Sequence, residues 1–169
     1  MPGMDHILSK AFLATGGSVA YPQWAVVSQV AAVGLVPAAV QITPTTAGTT
    51  GTSQTVIGVC QEQLDATKTV TGKAFINVAL MGNVKVIWDG TTSAGGAPAS
   101  VAPALGLYVV PSNTVAGRVR VITPPATYQG IPLLGVLISL PGSPLPTFGA
   151  NAAAGDLFDV ALADPGTRV

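Results

Sequence analysis

Charged side chains are scarce in this sequence. They make up 8% of its 169 residues, and seven Lys and Arg balance seven Asp and Glu. The stretches 11–61, 90–117 and 121–155 contain no charged residue. A chain of zero net charge with so few surface charges tends to associate when it diffuses freely. We therefore expect large parts of its surface to be buried against other protein chains.

Groups that carry acid–base, nucleophilic or metal chemistry are equally scarce. The sequence has one His and one Cys. His6 has only Asp5 beside it, and nothing in the sequence brings Cys60 close to it. Acid–base catalysis needs converging titratable side chains, and a closed zinc site needs four ligands. We expect no catalytic residue, no metal and no cofactor, and Cys60 is predicted to be a small apolar residue of a strand.

Signals for a leader or a membrane span are also weak. Asp5 and Lys10 interrupt the region where a signal peptide has its apolar core. The stretch 24–42 is uncharged and long enough to span a bilayer, but it contains Ser28 and Pro37 and has no flanking basic cluster. The sequence therefore predicts no membrane partner and gives no sign of an oxidising compartment.

A nucleic-acid partner is not expected either, because phosphate binding needs a basic footprint that this chain does not have. Only Arg118 and Arg120 cluster. They alternate in RVRVI and are predicted to share one face of a strand, which is either solvated or paired with another subunit. Two Trp residues are predicted to anchor the core or an interface. The candidate residues of a subunit interface are therefore Trp24, Trp88, Arg118 and Arg120.

Short runs of Val, Ile and Leu alternate with clusters of Gly, Pro, Thr and Ser over most of the chain, which includes 20 Gly and 14 Pro. This texture predicts an all-β sandwich or small barrel with long Gly-, Pro- and Thr-rich loops at 43–53, 89–100 and 141–155. Such loops are natural contact surfaces in an assembly. The predicted strands are 24–28, 36–42, 55–61, 74–80, 83–88, 106–110, 118–123, 133–140 and 157–162.

The N-terminal segment differs from the rest. Its apolar residues at 4, 7, 8, 11 and 12 have helical spacing, and Gly16 and Gly17 then interrupt the pattern. Residues 1–20 are therefore predicted to form an arm outside a single β domain of residues 21–169. Its apolar face suits docking on a partner, and the alternative is a terminal helix packed on its own domain.

An imperfect repeat joins the middle of the chain to its end. The sequence INVAL at 76–80 aligns with FDVAL at 158–162, and each copy follows an apolar stretch that carries Gly-Val, at Gly58 and at Gly135. Self-similarity of this kind indicates a duplicated or pseudo-symmetric β unit. Met81-Gly82-Asn83 is predicted to be a tight turn that makes residues 74–88 a hairpin at the centre of the barrel.

In the order of its motifs the chain resembles the capsid decoration proteins, also called cement proteins, of tailed bacteriophages, which are built around a β-tulip or SH3-like barrel. The resemblance covers about residues 26–162. The loops of this chain are longer than those of the compact members of that family. The motifs are IGV at 57–59, VALMGNVKV at 78–86, GLYVVPSNTVAGRV at 106–119, GV at 135–136 and DVAL at 159–162.

The resemblance implies a structural, non-enzymatic protein of the virion that is made in the host cytoplasm. It would bind the outside of the capsid, often as a homotrimer, and bridge subunits of the major capsid protein. In that family the N-terminal arm often becomes ordered on the shell. Carried over by position, the capsid-binding residues would be Met4, Asp5, His6, Ile7, Leu8, Ala11, Phe12 and Leu13.

Two alternatives remain open. One is another structural subunit of the virion, namely a minor capsid, head-fibre base or tail-tube protein, because these share the uncharged β texture. The other is a β-barrel module that binds a ligand or carbohydrate, with an aromatic face formed by Trp24, Trp88, Tyr108 and Tyr128.

Overall fold

The computed structural model describes residues 7–15, 17–30, 39–51, 54–71, 73–92, 98–139 and 154–169. Strands dominate these ranges, and the all-β fold class is confirmed. The helical elements are a 3-10 turn, Thr45–Gly48, and the short α1, Ala66–Thr69. The strands are β1 (Leu8–Leu13), β2 (Val26–Gln29), β3 (Val40–Ile42), β4 (Val56–Cys60), β5 (Phe75–Met81), β6 (Asn83–Ile87), β7 (Tyr108–Pro111), β8 (Val119–Ile122), β9 (Gly135–Ser139) and β10 (Leu157–Leu162).

Two five-stranded antiparallel sheets share these strands equally. The first sheet has the order β1-β5-β4-β2-β3 and the second has the order β6-β10-β9-β7-β8. When β6 to β10 are renumbered as strands one to five, the order of the second sheet becomes identical to that of the first. The chain therefore consists of two consecutive β units of one topology, the first unit at residues 8–81 and the second unit at residues 83–162.

The cross-strand partners in the middle of each sheet correspond between the two units, whereas the bulges lie at different places. In each unit, one Val follows the glycine of the repeated Gly-Val pair. This Val pairs with the Ala of Val-Ala-Leu on one neighbouring strand and with a residue of the unit's second strand on the other. This agreement confirms the pseudo-symmetric β unit predicted from the sequence repeat and extends it to all five strands. The corresponding rows are Val26, Val59 and Ala79 in the first unit and Tyr108, Val136 and Ala161 in the second.

The repeated glycines lie where two strands approach very closely. A Cβ atom added to Gly58 would collide with the carbonyl oxygen of Ala79, and one added to Gly135 would collide with the carbonyl oxygen of Ala161. Both glycines have the buried, extended setting of a central strand. Glycine is required at these positions because backbone atoms occupy the space of a side chain.

Each sheet curls towards itself without closing. Just after β1, Ala14 forms a parallel bridge with Val40 of β3, and just after β6, Trp88 forms one with Val119 of β8. The hydrogen bonds beside these bridges also correspond, from Ala14 N to Ala74 O at 2.8 Å and from Trp88 N to Asp156 O at 2.9 Å. The result is two barrel-like units, each with an apolar interior.

The two interiors are filled differently. In the first unit Tyr21 lies among the core residues, and its hydroxyl donates a hydrogen bond of 2.8 Å to Val40 O. In the second unit Trp88 lies against Phe158, with ring centroids 5.6 Å apart. Trp88 occupies the position that Ala14 has in the first unit. The side chain of Tyr21 therefore fills interior volume that the small Ala14 leaves open.

The predicted hairpin at 74–88 is wrong. β5 ends at Met81, Gly82 has a φ of 103°, and β6 begins at Asn83. β5 pairs with β1 and β4, whereas β6 pairs with β10. Gly82 therefore bends the chain from one sheet into the other instead of folding it back on the same sheet.

The helical prediction for the N-terminal segment is also wrong where the structure describes it. Residues 8–13 form β1, an edge strand that pairs antiparallel with β5 from Leu8 opposite Met81 to Leu13 opposite Phe75. A bulge between Leu8 and Ser9 shifts the register. The segment lies on the chain's own first sheet.

The loops predicted at 89–100 and 141–155 fall partly outside the described residues. In the described part of the third, 43–51, Ala47 and Gly48 of the 3-10 turn are buried, whereas Thr46 and residues 49–51 are exposed. None of the helices in the described part of the chain has the length and apolar character needed to cross a membrane.

Because the two glycines are equivalent, we expect the protein to lose the same stability when either one is replaced by alanine. Gly58→Ala and Gly135→Ala should each lower the free energy of unfolding by about 2 to 3 kcal/mol, because the strands must separate to admit the Cβ atom. Urea denaturation measures this, with Gln29→Ala, at an exposed position of β2, as the control within about 0.5 kcal/mol of the wild type. A Gly135→Ala protein as stable as the wild type would contradict the structural equivalence.

Candidate binding surface

β1, in the segment predicted to contact a partner, is an edge strand of the first sheet. Within the described ranges β1 pairs with β5 and with no second strand along residues 8–13. Such an edge presents backbone N–H and C=O groups that accept another extended chain. The edge can therefore extend the first sheet by one strand from a partner.

Large apolar side chains surround this edge. The exposed fraction is 43% for Ile7, 56% for Leu8, 64% for Phe75 and 44% for Met81. Leu8 lies opposite Met81, and Phe75 lies opposite Leu13. The outer edge of β1 together with Ile7, Leu8, Phe75 and Met81 is termed the β1 surface below. Its combination of a free edge and exposed apolar groups is typical of a binding surface.

The residues proposed for capsid contact divide between the two sides of β1. Phe12 packs on the core of the first unit, Leu13 is half-buried, and Leu8 and Ala11 are exposed. The Lys10 ammonium lies 5.6 Å from the centroid of the Phe12 ring, so the charge of this strand is held over an aromatic face. Ile7 is exposed, whereas Met4, Asp5 and His6 lie outside the described residues.

Sequence reasoning did not single out Phe75 and Met81 as surface residues. Both belong to β5, which the sequence placed in a central hairpin. The available signal was the alternation in FINVALM, which puts Phe75 and Asn77 on the opposite face from the buried Ile76 and Val78. The structure brings these two residues beside β1 because β5 is its pairing partner.

The four residues predicted for a subunit interface have different positions. Trp88 and Arg120 are each 1% exposed, so their side chains are enclosed by this chain. Trp24 is half-buried, with a φ of 69°, and packs against the core that Trp88 belongs to. Arg118 is half-buried and lies just before β8. Trp24 and Arg118 are thus the two that remain partly accessible.

Arg120 is not on a solvated strand face, contrary to the pattern in RVRVI. Every residue of β8 is buried. The guanidinium donates hydrogen bonds from Nη2 to Gly48 O at 2.6 Å and from Nη1 to Pro98 O at 2.7 Å. It therefore joins the 3-10 turn of the first unit to a strand of the second, and its role in the described structure is to hold the two units together.

A buried carboxylate accompanies this arginine. Burial lowers the pKa of Arg120, and the charge of Asp89 acts in the opposite direction. Asp89 is 7% exposed and accepts hydrogen bonds from Ser112 Oγ at 2.6 Å and from Thr114 Oγ1 at 3.2 Å. These donors satisfy the carboxylate, as a buried charge requires. The cluster is a structural polar core between the units.

Two of the four aromatic residues predicted to line a ligand face lie together. Tyr108 and Tyr128 border a shallow hollow of about 180 Å³, together with Pro125 and Val169. Tyr128 is 73% exposed. Trp24 and Trp88 belong to the core instead. The structure thus offers two tyrosines rather than an aromatic face of four.

Few side chains in the described ranges could support catalysis or bind a metal ion. No group of three or more His, Cys, Asp and Glu side chains there is arranged to hold a metal ion. The Cys60 side chain is fully buried in the interior of the first unit, and burial raises the pKa of its thiol to about 12. A thiol in this setting is a structural apolar group, as the sequence predicted.

The buried position of Arg120 predicts a large effect of removing its charge. Arg120→Met should lower the free energy of unfolding by about 3 kcal/mol, because Gly48 O loses its donor and Asp89 loses a nearby positive charge. Arg118→Met, at a half-buried neighbouring position, is the matched control and should change stability by less than about 1 kcal/mol. Equal urea midpoints for the two variants would show that Arg120 is not structural.

The Cys60 thiol should be protected in the folded protein. At pH 8 its alkylation by iodoacetamide should be about a thousandfold slower than in urea, because each unit by which the pKa rises lowers the thiolate fraction tenfold. Mass spectrometry of timed samples gives the two rates. Comparable rates in the folded and unfolded protein would contradict the burial of Cys60.

No protein-family model, curated protein or solved structure matches this chain. The similarity that bears on its architecture is therefore the one between its own first and second units.

Proposed function

We propose that this chain is a structural binding protein of a virus particle: a capsid decoration protein that attaches to the outer surface of a tailed-phage capsid as a homotrimer. It stabilises the shell by bridging subunits of the major capsid protein. The observation that carries this proposal is the β1 surface, a free strand edge with exposed apolar side chains in the segment where the family resemblance places shell contact.

The composition of the chain supports a bound role over a freely diffusing one. With 8% charged residues and zero formal charge, little electrostatic repulsion keeps copies apart. An outer shell protein also needs no basic face, because the packaged DNA lies on the other side of the shell. The seven basic residues are spread from Lys10 to Arg168 without a cluster of the kind that binds phosphates.

Attachment through β1 follows the physics of strand addition. Main-chain hydrogen bonds from an extended segment of the shell protein satisfy the free edge, and the exposed side chains of Leu8 and Phe75 add apolar contact. Three copies in one trimer attach at three points at once, so the second and third contacts form at high effective concentration. Weak single contacts are thereby sufficient for stable binding.

The ligand-binding alternative has one observation in its favour, the hollow bordered by Tyr108 and Tyr128. Tyrosine rings are suitable platforms for sugars and other small ligands because they combine an apolar face with a hydroxyl group. The hollow is shallow and has no charged side chain at its rim, so the binding of a shell protein explains more of the chain.

A shell-attachment assay tests the proposal. Leu8→Glu and Phe75→Glu should each weaken attachment to expanded shells by about tenfold or more, because a carboxylate must be desolvated against the apolar contact. Co-sedimentation of purified protein with shells that lack it measures the affinity, and micrographs show its position on the particle.

Val70→Glu is the matched control, since Val70 is 58% exposed and lies at the end of α1, in neither β1 nor its pairing strand β5. It should attach as the wild type does. Attachment of both β1-surface variants at full strength would remove β1 from the contact. No attachment of the wild type to any shell, or its polymerisation into open tubes, would replace decoration with another role, tubes favouring a tail-tube subunit.

A further inference from the structure

The first strands of the two units occupy equivalent positions but are held differently. β1 pairs with β5 as β6 pairs with β10, and the repeat places Ala11 of β1 at the position of Lys85 of β6. The Lys85 ammonium lies 2.9 Å from the carboxylate of Asp159 on β10. The corresponding pair in the first unit, Ala11 and Asn77, carries no charge. β1 therefore lacks an ion pair, of modest strength at the surface, that holds β6 to its neighbour.

The burial of side chains differs more. β6 buries Val84 and Val86, which are 4% and 0% exposed. The corresponding residues of β1 are Lys10, which is exposed, and Phe12, which is half-buried. Apolar area removed from water is the main source of stability for a packed strand, and elements with little of it open at a low cost in free energy. β1 is therefore the less firmly attached of the two strands.

The link that leads from β1 into the body of the first unit is short and has a strained backbone. A hydrogen bond of 2.9 Å from the Thr15 N–H to a carbonyl oxygen of β3 fixes one end. A hydrogen bond of 2.7 Å from Thr69 Oγ1 to Val19 O fixes the other, three residues further along the chain. Within the link Gly17 has a φ of 97° and Ser18 a φ of 60°, and a residue with a Cβ atom adopts this conformation at a cost in free energy. A short link under strain favours exchange of the attached element between copies.

We propose that β1 is exchanged between copies of this chain, so that β1 of one copy pairs with β5 of the next. The site on β5 accepts this strand in six register pairs, from Leu8 opposite Met81 to Leu13 opposite Phe75, and a second copy supplies the identical strand. Each contact that β1 makes within one chain is formed again between two chains, while the link extends and its strain is relieved. The zero net charge leaves little repulsion between approaching copies.

This inference rests on the self-association included in the proposed function and gives it a mechanism. Exchange in which β1 of each copy enters the site on the next copy is a heterologous contact, which closes into a ring such as a trimer. Reciprocal exchange between two copies gives a dimer, and the mass of the assembly distinguishes the two. In both assemblies β1 keeps its outer edge, so the proposed shell contact is unchanged.

The register supplies a site for a disulfide that reports the exchange. Ala11 and Asn77 are exposed and lie opposite each other on β1 and β5. Asn77 directs its backbone hydrogen bonds away from β1, because its N–H donates to Glu62 Oε1 and its carbonyl oxygen accepts from the Gln61 N–H. The two residues therefore form a non-hydrogen-bonded pair, with Cα atoms about 4.5 Å apart. A disulfide can bridge this distance.

Cross-linking between two single-cysteine variants tests the exchange. Ala11→Cys and Asn77→Cys proteins are mixed, refolded together at high concentration under reducing conditions and then oxidised, and far-UV melting curves establish that each is folded. A disulfide between residues 11 and 77 should join the two kinds of chain, because only an exchanged β1 brings these positions together from different copies. Mass spectrometry of peptides distinguishes this link from one that involves Cys60. The absence of a link between residues 11 and 77 would overturn the exchange.

The equivalent positions of the second unit provide the matched control. Lys85→Cys and Asp159→Cys in separate chains should not become linked, because Gly82 alone joins β6 to β5 and β6 stays with its own chain. One chain that carries both substitutions should form the disulfide internally, which establishes that the two positions are close enough. Equal linking in the two mixtures would indicate random collision and would also overturn the exchange.

Two substitutions of Ser18 should shift the assembly in opposite directions. Ser18→Gly removes the strain from the link and should raise the dissociation constant by about fivefold or more, because the closed chain no longer has a strained residue to release. Ser18→Pro cannot adopt a positive φ, so the link must extend and the constant should fall by a similar factor. Sedimentation equilibrium measures both constants. No shift, or a shift of both variants in one direction, would contradict the role of the link.

The outcomes separate this inference from the proposed function. A wild type that attaches to shells as an oligomer, without a link between residues 11 and 77 in the mixed variants, refutes the exchange and leaves decoration standing. Exchange in a protein that attaches to no shell supports the inference and refutes decoration. A wild type that is monomeric at every concentration refutes the self-association on which both depend.

Discussion

At Gly58 and again at Gly135, one strand passes so close to the backbone of its neighbour that a carbonyl oxygen occupies the place of a side chain. This close approach lies in the middle of each sheet, where β4 meets β5 and β9 meets β10. It lets the sheet curl far enough for its first strand to approach its last, with bridges from Ala14 to Val40 and from Trp88 to Val119. The interior of each unit, and so its burial of apolar side chains, depends on it.

The two units differ where they contact each other. Arg120 on β8 corresponds to Gln41 on β3 of the first unit, because each of them pairs with the second strand of its own unit. The arginine reaches from the second unit to Gly48 O in the first. A polar link of this kind specifies one arrangement of the units, whereas apolar contacts alone tolerate several. This link therefore joins two similar units into one defined molecule.

Much of the fold was predictable because the Val- and Ile-rich runs are separated by clear turn residues. All nine predicted strands are present, and the limits of Leu157–Leu162 match the prediction. β1 was missed because strand pairing is non-local: the sequence window around Leu8 does not show that β5 has a free side to pair with. Gly82 was misread for a similar reason, since a glycine between two strands suits both a tight turn and a bend between sheets.

The candidate surfaces were less predictable than the fold. The apolar N-terminal segment was identified from its sequence, but its partners Phe75 and Met81 depend on the β1–β5 register, which no local pattern reveals. The burial of Arg120 was missed because an arginine in a strand usually faces solvent. The weaker packing of β1 than of β6 becomes visible only when both strands are paired with their equivalent partners, so no local sequence pattern contains it.

The duplication also has a consequence for folding. Each strand has nearly the same hydrogen-bonding pattern and register as its counterpart in the other unit. During folding, a strand can therefore pair with the wrong unit. Only Gly82 separates β5 from β6, which keeps both candidates close together in the chain. The different fillings of the two interiors, Tyr21 in one and Trp88 with Phe158 in the other, oppose this exchange. A β6 strand in the place of β1 would bring Trp88 to the site of Ala14 and overfill the first interior, so volume differences select the native pairing against its near-copy.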